Sequence, residues 1–255
     1  MIGGNDMKRQ VLLYGSMVVF AVSLYSIGSY LYGYFENARD LADIQDVYAA
    51  PVTSEEAAQV TQMETEKPLR ENITKLQNVN DDIVGWLELD GTKLNNPVLQ
   101  AEDNDYYLDH NYKGGYSRAG SIFMDFRNDP ANLGKHTIMY GHVMRDNSMF
   151  GMLSKYADEE FAKENRVIRF ETMYDEYELH VFAAYETTTR FYYLDTEFEG
   201  KAFGEFIQEI KSRSRIDTGV DISVHDQIVT LSTCTTTDDD DERFVVHAKL
   251  IQKQR

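Results

Sequence analysis

The stretch QIVTLSTCTTTDDDDERFVVHAKLIQ, residues 227–252, holds two apolar, β-branched runs on either side of an acidic block. Runs of this composition that are bounded by polar residues predict two β-strands, at 227–234 and 243–252. The first strand ends on Cys234, the single cysteine of the chain, and the second begins on Arg243. If the two strands are neighbours, Arg243 approaches the cysteine across the acidic loop.

Further short strands are predicted along the chain from residue 84 onward, each bounded by turn residues. They are VGWLELD (84–90), PVLQ (97–100), SIFMDF (121–126), HTIMYGHV (136–143), RVIRFET (166–172) and YELHVFAAYETT (177–188). Apolar residues at helical spacing predict helices at 67–79, at 149–165 as two short pieces, and at 201–213. Helices that are inserted among strands rather than alternating with them favour a mostly β fold, a barrel or a sandwich.

The N-terminal region is apolar and uncharged from Val11 to Phe35. As a helix, such a run crosses a hydrocarbon core of about 30 Å. Lys8 and Arg9 precede it, which predicts a cytoplasmic N-terminus and an outward-facing domain. A cleaved signal peptide is the alternative, but its apolar core is shorter, about 7–15 residues. We therefore predict a single-pass protein with a cytoplasmic tail at 1–10, a transmembrane signal anchor at 11–35, a stalk at 36–66 and a folded domain at 67–255.

The chain of 255 residues is 42% hydrophobic, which supplies one sizeable core, and its formal charge is −18. An acidic protein lacks the basic footprint that nucleic-acid binding needs, so no nucleic-acid partner is expected. The four aspartates Asp238–Asp241 lack the ligand spacing of a dedicated calcium site, and we interpret them as a solvated loop. Calcium binding and contact with a basic group are the alternatives. We expect no metal and no cofactor.

A lone cysteine outside the membrane is either a reactive or bridging thiol, or a buried small hydrophobe. A thiol nucleophile needs nearby positive charge, and a histidine that can move a proton. His142 follows Tyr140 and Gly141 where a strand meets a loop, and the glycine allows close approach of another group. His247 is the other candidate, because it shares a strand face with Arg243. Periodicity alone does not choose between the two histidines.

The segment TLSTC with a downstream arginine resembles the signature of the sortase family, and YGH at 140–142 resembles its histidine motif. Residues 70–252 resemble class B sortases in particular. Five segments carry this resemblance and occur in the order found in that class: VGWLELDGTKLNNPVLQ, DNDYYLDHNYKG, GSIFMDFRN, YGHVMRDNSMFGML and RFVVHAKL. The predicted helix at 201–213 resembles the long helix that class B enzymes carry between the two strands before the cysteine. The resemblance implies an eight-stranded sortase β-barrel with an N-terminal helix.

The resemblance also implies a cysteine transpeptidase of the cell surface. In the family, the cysteine attacks a threonine carbonyl within a short C-terminal sorting motif of a surface protein, often N-P-x-T-x or S-P-x-T-x in class B. The peptide bond after the threonine breaks and a thioester intermediate forms. An amine of the cell-wall peptidoglycan or its precursor then takes the protein. Expected partners are therefore sorting-motif proteins, that amine, and the membrane through the N-terminal helix.

Carried onto this sequence, the resemblance implies that Cys234 is the nucleophile and His142 the general acid and base. Arg243 would hold the substrate backbone or the developing oxyanion. Implied substrate-binding positions are Ser232, on the same strand face as the cysteine, and Asn104, Leu108, Tyr193 and Leu194. The alternatives are another cysteine hydrolase or protease, and a non-catalytic membrane-tethered binding module. An L,D-transpeptidase usually carries glycine directly before its cysteine, where this chain has Thr233.

Overall fold

The computed structural model describes residues 3–53, 69–188, 190–234 and 242–253. Its strands are β1 (Ile83–Glu88), β2 (Asn95–Leu99), β3 (Ile122–Met124), β4 (His136–Tyr140), β5 (Val167–Thr172), β6 (Glu176–Thr188), β7 (Gln227–Cys234) and β8 (Glu242–Gln252). They close into a barrel in the order β1-β2-β3-β4-β7-β8-β6-β5. The pairs β2–β3 and β4–β7 are parallel and the other pairs are antiparallel. The predicted eight-stranded barrel is confirmed.

The helices of the described chain are α1 (Gly3–Ala49), α2 (Glu71–Thr74), α3 (Glu159–Glu164) and α4 (Ala202–Arg213), with 3₁₀ turns at Lys75–Asn78, Tyr106–Leu108 and Leu153–Ala157. Helix α4 lies between β6 and β7, as predicted. The prediction of a single helix at 67–79 is wrong, because the short helix α2 is followed by a 3₁₀ turn. The Thr74 hydroxyl donates to the Arg70 carbonyl at 2.9 Å, a side-chain bond of the kind that competes with a regular helix.

The predicted strands 121–126 and 136–143 are each three residues shorter in the structure, where they are β3 and β4. Strand β3 ends at Met124 because the chain turns at Asp125, whose carbonyl accepts the Asn128 amide at 3.0 Å. Strand β4 ends at Tyr140. The Gly141 amide still donates to the Ser232 carbonyl at 3.3 Å, after which the chain leaves the sheet.

Helix α4 packs one face against the barrel. Its buried side chains, Phe203, Ile207 and Ile210, join a core cluster with residues of β6, β7 and β8. Each fully buried side chain of this size contributes about 1.5–3 kcal/mol by leaving water. Tyr193, in the connection that leads from β6 to α4, belongs to the same cluster. The helix therefore fixes that connection against the barrel.

The chain divides into two units, one up to Ala42 and the other from Asp43 onward. From Met7 to Ala49, helix α1 is long and apolar enough to cross a membrane, judged by length and composition alone. A signal sequence near an N-terminus passes the same test. The residues of its apolar run are exposed, with Leu12 at 74% and Val18 at 63%.

The second unit begins with the last turns of α1. Ile44 is buried, and the ring of Tyr48 stacks on Trp86 of β1 with ring centroids 4.1 Å apart. The Gln45 side chain donates to the Asn95 carbonyl at 2.7 Å. Residues 43–49 therefore pack against the barrel as part of a helix, whereas the sequence assigned them to a partly helical stalk. The later part of that predicted stalk, 54–66, lies outside the described residues.

Candidate active site

A cleft of about 400 Å³ opens where β4 and β7 end. Tyr140, Gly141 and His142 approach it from β4, and Ser232 and Thr233 from β7. The remaining lining comes from the segment after β2, the start of β8 and the connection from β6 to α4. The structure brings together on this cleft every predicted site residue whose side chain it describes, namely Asn104, Leu108, His142, Tyr193, Leu194, Ser232 and Arg243.

Cys234 is the last residue of β7, and the strand register pairs it with Arg243 of β8. Its main chain is described, and its side chain lies outside the described part of the structure. The two residues before it, Ser232 and Thr233, form part of the cleft wall. Position 234 therefore continues directly from that wall. The block Asp238–Asp241 also lies outside the described residues, so its interpretation stays a prediction.

The imidazole of His142 is held by a main-chain acceptor. Its Nε2 lies 2.7 Å from the Leu108 carbonyl oxygen. Because a carbonyl oxygen only accepts, Nε2 is the donor, and Nδ1 is the acceptor of the neutral ring. Sequence reasoning proposed Leu108 for its side chain and missed this role of its carbonyl.

The glycine before His142 is required by a close neighbour. A Cβ placed on Gly141 would lie 2.9 Å from Cγ of the Phe150 ring and 3.3 Å from a side-chain carbon of Ile122. The Phe150 amide donates to the His142 carbonyl at 3.0 Å, which turns the chain back over the glycine. The predicted close approach at Gly141 is confirmed.

Arg243 is the second residue of β8, and in the antiparallel pairing with β6 it is opposite Thr187. Its Nη1 donates to the Glu242 carbonyl at 2.8 Å, and the residue is half-buried on the cleft. A partly buried guanidinium offers a fixed positive charge and several donors, which suits a developing oxyanion. Position 243 is thus geometrically able to serve the role that the resemblance implied.

Two hydroxyls meet on the cleft wall beside the cysteine strand. The Tyr193 hydroxyl lies 2.7 Å from the Ser232 hydroxyl, and both residues are less than 5% exposed. The next residue, Leu194, accepts at its carbonyl from Nη2 of Arg127 at 2.9 Å. The connection before α4 is therefore held to β7 on one side and to the turn after β3 on the other. Sequence reasoning missed Arg127, which lies in the quoted segment GSIFMDFRN.

The alternative histidine, His247, is fully buried in the barrel. Its Nδ1 lies 2.7 Å from the Thr230 hydroxyl, which is 2.6 Å from Nε2 of the buried His136. The other nitrogen, Nε2, lies 2.9 Å from the Tyr185 hydroxyl. Burial lowers the pKa of His136 to about 4, and burial together with the charge of His136 lowers the pKa of His247 well below its usual value. The structure places His142 on the cleft and His247 in the core.

Comparison with known proteins agrees with this architecture. A family model described as the sortase domain matches residues 87–251. Sortase B of Listeria monocytogenes is 42% identical over 243 residues, which cover 93% of this chain and 96% of that protein. Sortase B of Staphylococcus aureus is 36% identical over 245 residues, with 95% of each chain covered.

Solved structures give the same result. The S. aureus sortase B–substrate complex superposes with a TM-score of 0.75 at 37% identity, covering 86% of this chain and 98% of that one. Sortase B from B. anthracis in complex with AAEK1 gives a TM-score of 0.76 at 41% identity, covering 88% and 100%. The residues that the family model matches, 87–251, include the ends of β4 and β7. The chain therefore belongs to the sortase family, in its class B, and is a cysteine transpeptidase.

Proposed function

We propose that this protein cleaves a C-terminal sorting motif of the N-P-x-T-x or S-P-x-T-x kind after its threonine. It then joins the threonine to an amine of the cell-wall peptidoglycan or its precursor. One observation carries the proposal: a single cleft brings His142 and Arg243 to the end of the strand that finishes on Cys234. A solved sortase B is complexed with Gly3, which makes triglycine a suitable amine probe for this chain.

In the first half of the reaction, the Cys234 thiolate attacks the carbonyl carbon of the threonine. The carbonyl oxygen takes the negative charge, and the guanidinium of Arg243 stabilises it. The carbon–nitrogen bond then breaks as His142 gives its proton to the leaving amine. A thioester between Cys234 and the threonine carbonyl remains on the enzyme.

In the second half, the acceptor amine attacks the thioester carbon and passes a proton to His142. The carbon–sulfur bond breaks, the new amide leaves and the Cys234 thiolate is restored. We assign both proton transfers to Nδ1 of His142, because Nε2 donates to the Leu108 carbonyl at 2.7 Å. That bond also fixes the plane of the ring, so the histidine requires little reorganisation during the reaction.

The cleft wall supplies the peptide-binding surface. Leu108 and Leu194 offer apolar contact, and the hydroxyl of Tyr193 pairs with that of Ser232 on the cysteine strand. The amide of Asn104, in the segment after β2, adds hydrogen-bonding capacity to the lining. Clefts with mostly apolar lining and a few oriented polar groups are typical of sites that bind small ligands and short peptides.

We also propose that residues 11–35 anchor the enzyme in the membrane, with residues 1–10 in the cytoplasm and the catalytic domain outside. The uncharged apolar run in α1 and the preceding Lys8 and Arg9 support this topology. Proteolysis of intact cells is expected to remove the barrel and leave the N-terminus protected. A barrel that stays protected until the cells are lysed would contradict the topology.

The reaction is tested by intact mass spectrometry of the full chain in detergent, with N-P-x-T-x, S-P-x-T-x and L-P-x-T-x peptides. We expect a peptide adduct that disappears when triglycine is added and that is absent from Cys234→Ala. The matched control is His225→Ala, which removes an exposed histidine outside the cleft and should retain the adduct. Release of the peptide only to water, unaffected by triglycine, would favour a hydrolase instead.

A further inference from the structure

Asp125 is a buried carboxylate directly behind the cleft wall, in the turn that follows β3. The residue is 0% exposed. Its Oδ1 accepts from Nε and from the main-chain amide of Arg127, at 2.8 and 3.0 Å. Its Oδ2 accepts from Arg127 Nη2 at 2.7 Å, the Tyr140 hydroxyl at 2.8 Å and Asn104 Nδ2 at 3.0 Å. One carboxylate therefore receives five hydrogen bonds.

The partners of Asp125 belong to three separate walls of the cleft. Asn104 lies after β2, and Tyr140 ends β4 two residues before His142. Arg127 reaches the third wall, because its Nη2 also donates to the Leu194 carbonyl at 2.9 Å. Asp125 therefore joins these three walls, directly at Asn104 and Tyr140 and through Arg127 at Leu194.

The carboxylate also decides how the amide of Asn104 is oriented. One N–H of Asn104 Nδ2 is donated to Asp125, while Oδ1 accepts the Phe126 amide at 3.0 Å. A flipped amide would place its oxygen against the Asp125 carboxylate and its NH₂ group against the Phe126 N–H, so both contacts would be repulsive. The second N–H of the amide and the second lone pair of its oxygen then have fixed positions on the cleft wall.

The charge of Asp125 is maintained by its surroundings. Burial acts to raise the pKa of this carboxyl, but the hydrogen bonds from Arg127 and Tyr140 outweigh burial, and the pKa lies below its usual value. Hydrogen bonds to an ionised group are shorter and stronger than those between neutral groups. The same five bonds would be weakened together by removing one charge.

We propose that Asp125 is a positioning residue for the sorting peptide. It presents the Asn104 amide as a donor to a carbonyl oxygen of the peptide, and through Arg127 it fixes the wall that carries Tyr193 and Leu194. The inference rests on the proposed function, since it takes the cleft to be the peptide site. Asp125 itself does not touch the reacting atoms and acts through Asn104 and Arg127.

The test compares KM and kcat for the best sorting peptide in Asp125→Asn and wild type, with triglycine saturating. Asparagine keeps the size of the side chain but loses the charge. We expect KM to rise about tenfold, as for the loss of a charge-assisted hydrogen bond. We expect kcat at saturation to change less than about twofold, because Asp125 does not touch the reacting atoms. The rate of Cys234 alkylation by a small electrophile should also change less than about twofold, because alkylation does not require a bound peptide.

The matched control is Asn128→Ala in the same turn. Asn128 is also buried, and its side chain joins the His136 carbonyl and the Ile138 amide, both at 2.9 Å, without reaching the cleft. The Asn128→Ala variant should lower the melting temperature and leave KM unchanged.

In an Asn104→Ala background, Asp125→Asn should raise KM less than it does alone. If Asp125→Asn does not fold, Arg127→Lys is the second variant. It keeps the positive charge but loses the paired bonds from Nε and Nη2 to the two carboxylate oxygens, and it should still raise KM.

Three results would overturn the inference: an unchanged KM in folded Asp125→Asn, an equal rise of KM in Asn128→Ala, or fully additive effects with Asn104→Ala. Failure of the proposed function is distinguished by the wild type itself. If none of the sorting peptides acylates Cys234 in the wild-type enzyme, the proposed function and the inference both fail. An active wild type with an unchanged KM in Asp125→Asn removes the inference alone.

Discussion

The His142 imidazole and the chain at Gly120 approach the same carbonyl, that of Leu108. His142 Nε2 lies 2.7 Å from this oxygen. Gly120 has a φ of +55°, and a Cβ placed on it would lie 2.5 Å from the oxygen. The position of the Leu108 carbonyl, and with it the orientation of the histidine ring, therefore depends on a residue without a side chain.

Gly120→Ala is expected to lower kcat and stability together. A non-glycine residue in the left-handed region costs about 1–2 kcal/mol, and the added methyl must also displace the Leu108 carbonyl. Gly91→Ala is the matched control, because Gly91 has a φ of +73° and no atom lies within 4 Å of an added Cβ. That control should lose stability with kcat unchanged. Equal losses of kcat in the two variants would contradict the role of the Leu108 carbonyl.

His142→Ala is expected to slow transfer by about 10²–10⁴-fold, the usual contribution of a positioned acid and base. Single-turnover formation of the thioester and its release by triglycine should both be affected, because one residue serves both proton transfers. His225→Ala, at an exposed position before β7, is the control and should remain within about twofold of wild type. A loss of less than tenfold in His142→Ala would argue for a different proton carrier.

Tyr193→Phe is expected to raise KM for the peptide several-fold. The change removes the 2.7 Å bond to Ser232 and leaves the Ser232 hydroxyl on a nearly buried wall, at a cost of about 1 kcal/mol. Tyr156→Phe removes a comparable buried bond, to the Asn165 carbonyl at 2.6 Å, outside the cleft. It should lower stability by a similar amount and leave KM unchanged. A rise of KM in both variants would show that KM follows stability alone.

Local patterns predicted the strands well because side-chain alternation is written in the sequence. The strand 227–234 has the predicted bounds, and the helix before it differs by one residue. The contacts that shape the cleft are of another kind. The Leu108 carbonyl is a main-chain atom, and every residue has one, so no residue type marks it. Asp125 reads as the interior of a strand until the structure shows that β3 has already ended.

The packing of residues 43–49, the last turns of α1, on the barrel was also not predictable from composition. An acidic segment with few large apolar residues is typical of a stalk. In the structure, however, Ile44 and Tyr48 lie one helical turn apart and pack in the same core cluster as Trp86. Few contacts suffice once the helix is already formed, because little further chain entropy is lost. Such a docked helix depends on the tertiary surface of β1, which no local pattern records.

Tyr48→Ala is therefore expected to reduce the free energy of unfolding by about 2 kcal/mol, through lost burial and the lost ring stack. Trp86 is the single tryptophan of the chain and is 1% exposed, so its fluorescence reports the change directly. Val47→Ala, which alters a side chain that is 37% exposed on the same helix, is the control and should change stability little. An unaltered unfolding midpoint in Tyr48→Ala would mean that the helix does not dock in solution.

The buried pair of His136 and His247 is expected to make the barrel less stable in mild acid. In the unfolded chain a histidine takes up a proton near pH 6.5, whereas the pKa of His136 in the folded barrel is about 4. Between these values the unfolded state binds more protons, so stability falls as the pH is lowered from 6.5 and levels off near 4. His136 alone accounts for a loss of about 3 kcal/mol over this window.

Urea unfolding followed by Trp86 fluorescence at pH 7.5, 6.5, 5.5 and 5.0 measures this loss before most carboxylates titrate. His247→Gln, whose amide can still bond to Thr230 and Tyr185, is expected to be less stable at pH 7.5 but to lose less on acidification. His225→Gln, at an exposed position, should follow the wild-type curve. If wild type and His247→Gln lose the same free energy between pH 6.5 and 5.0, the acid sensitivity of the barrel comes from groups other than His247. A flat wild-type curve over that interval would mean that neither buried histidine stays neutral in the folded protein.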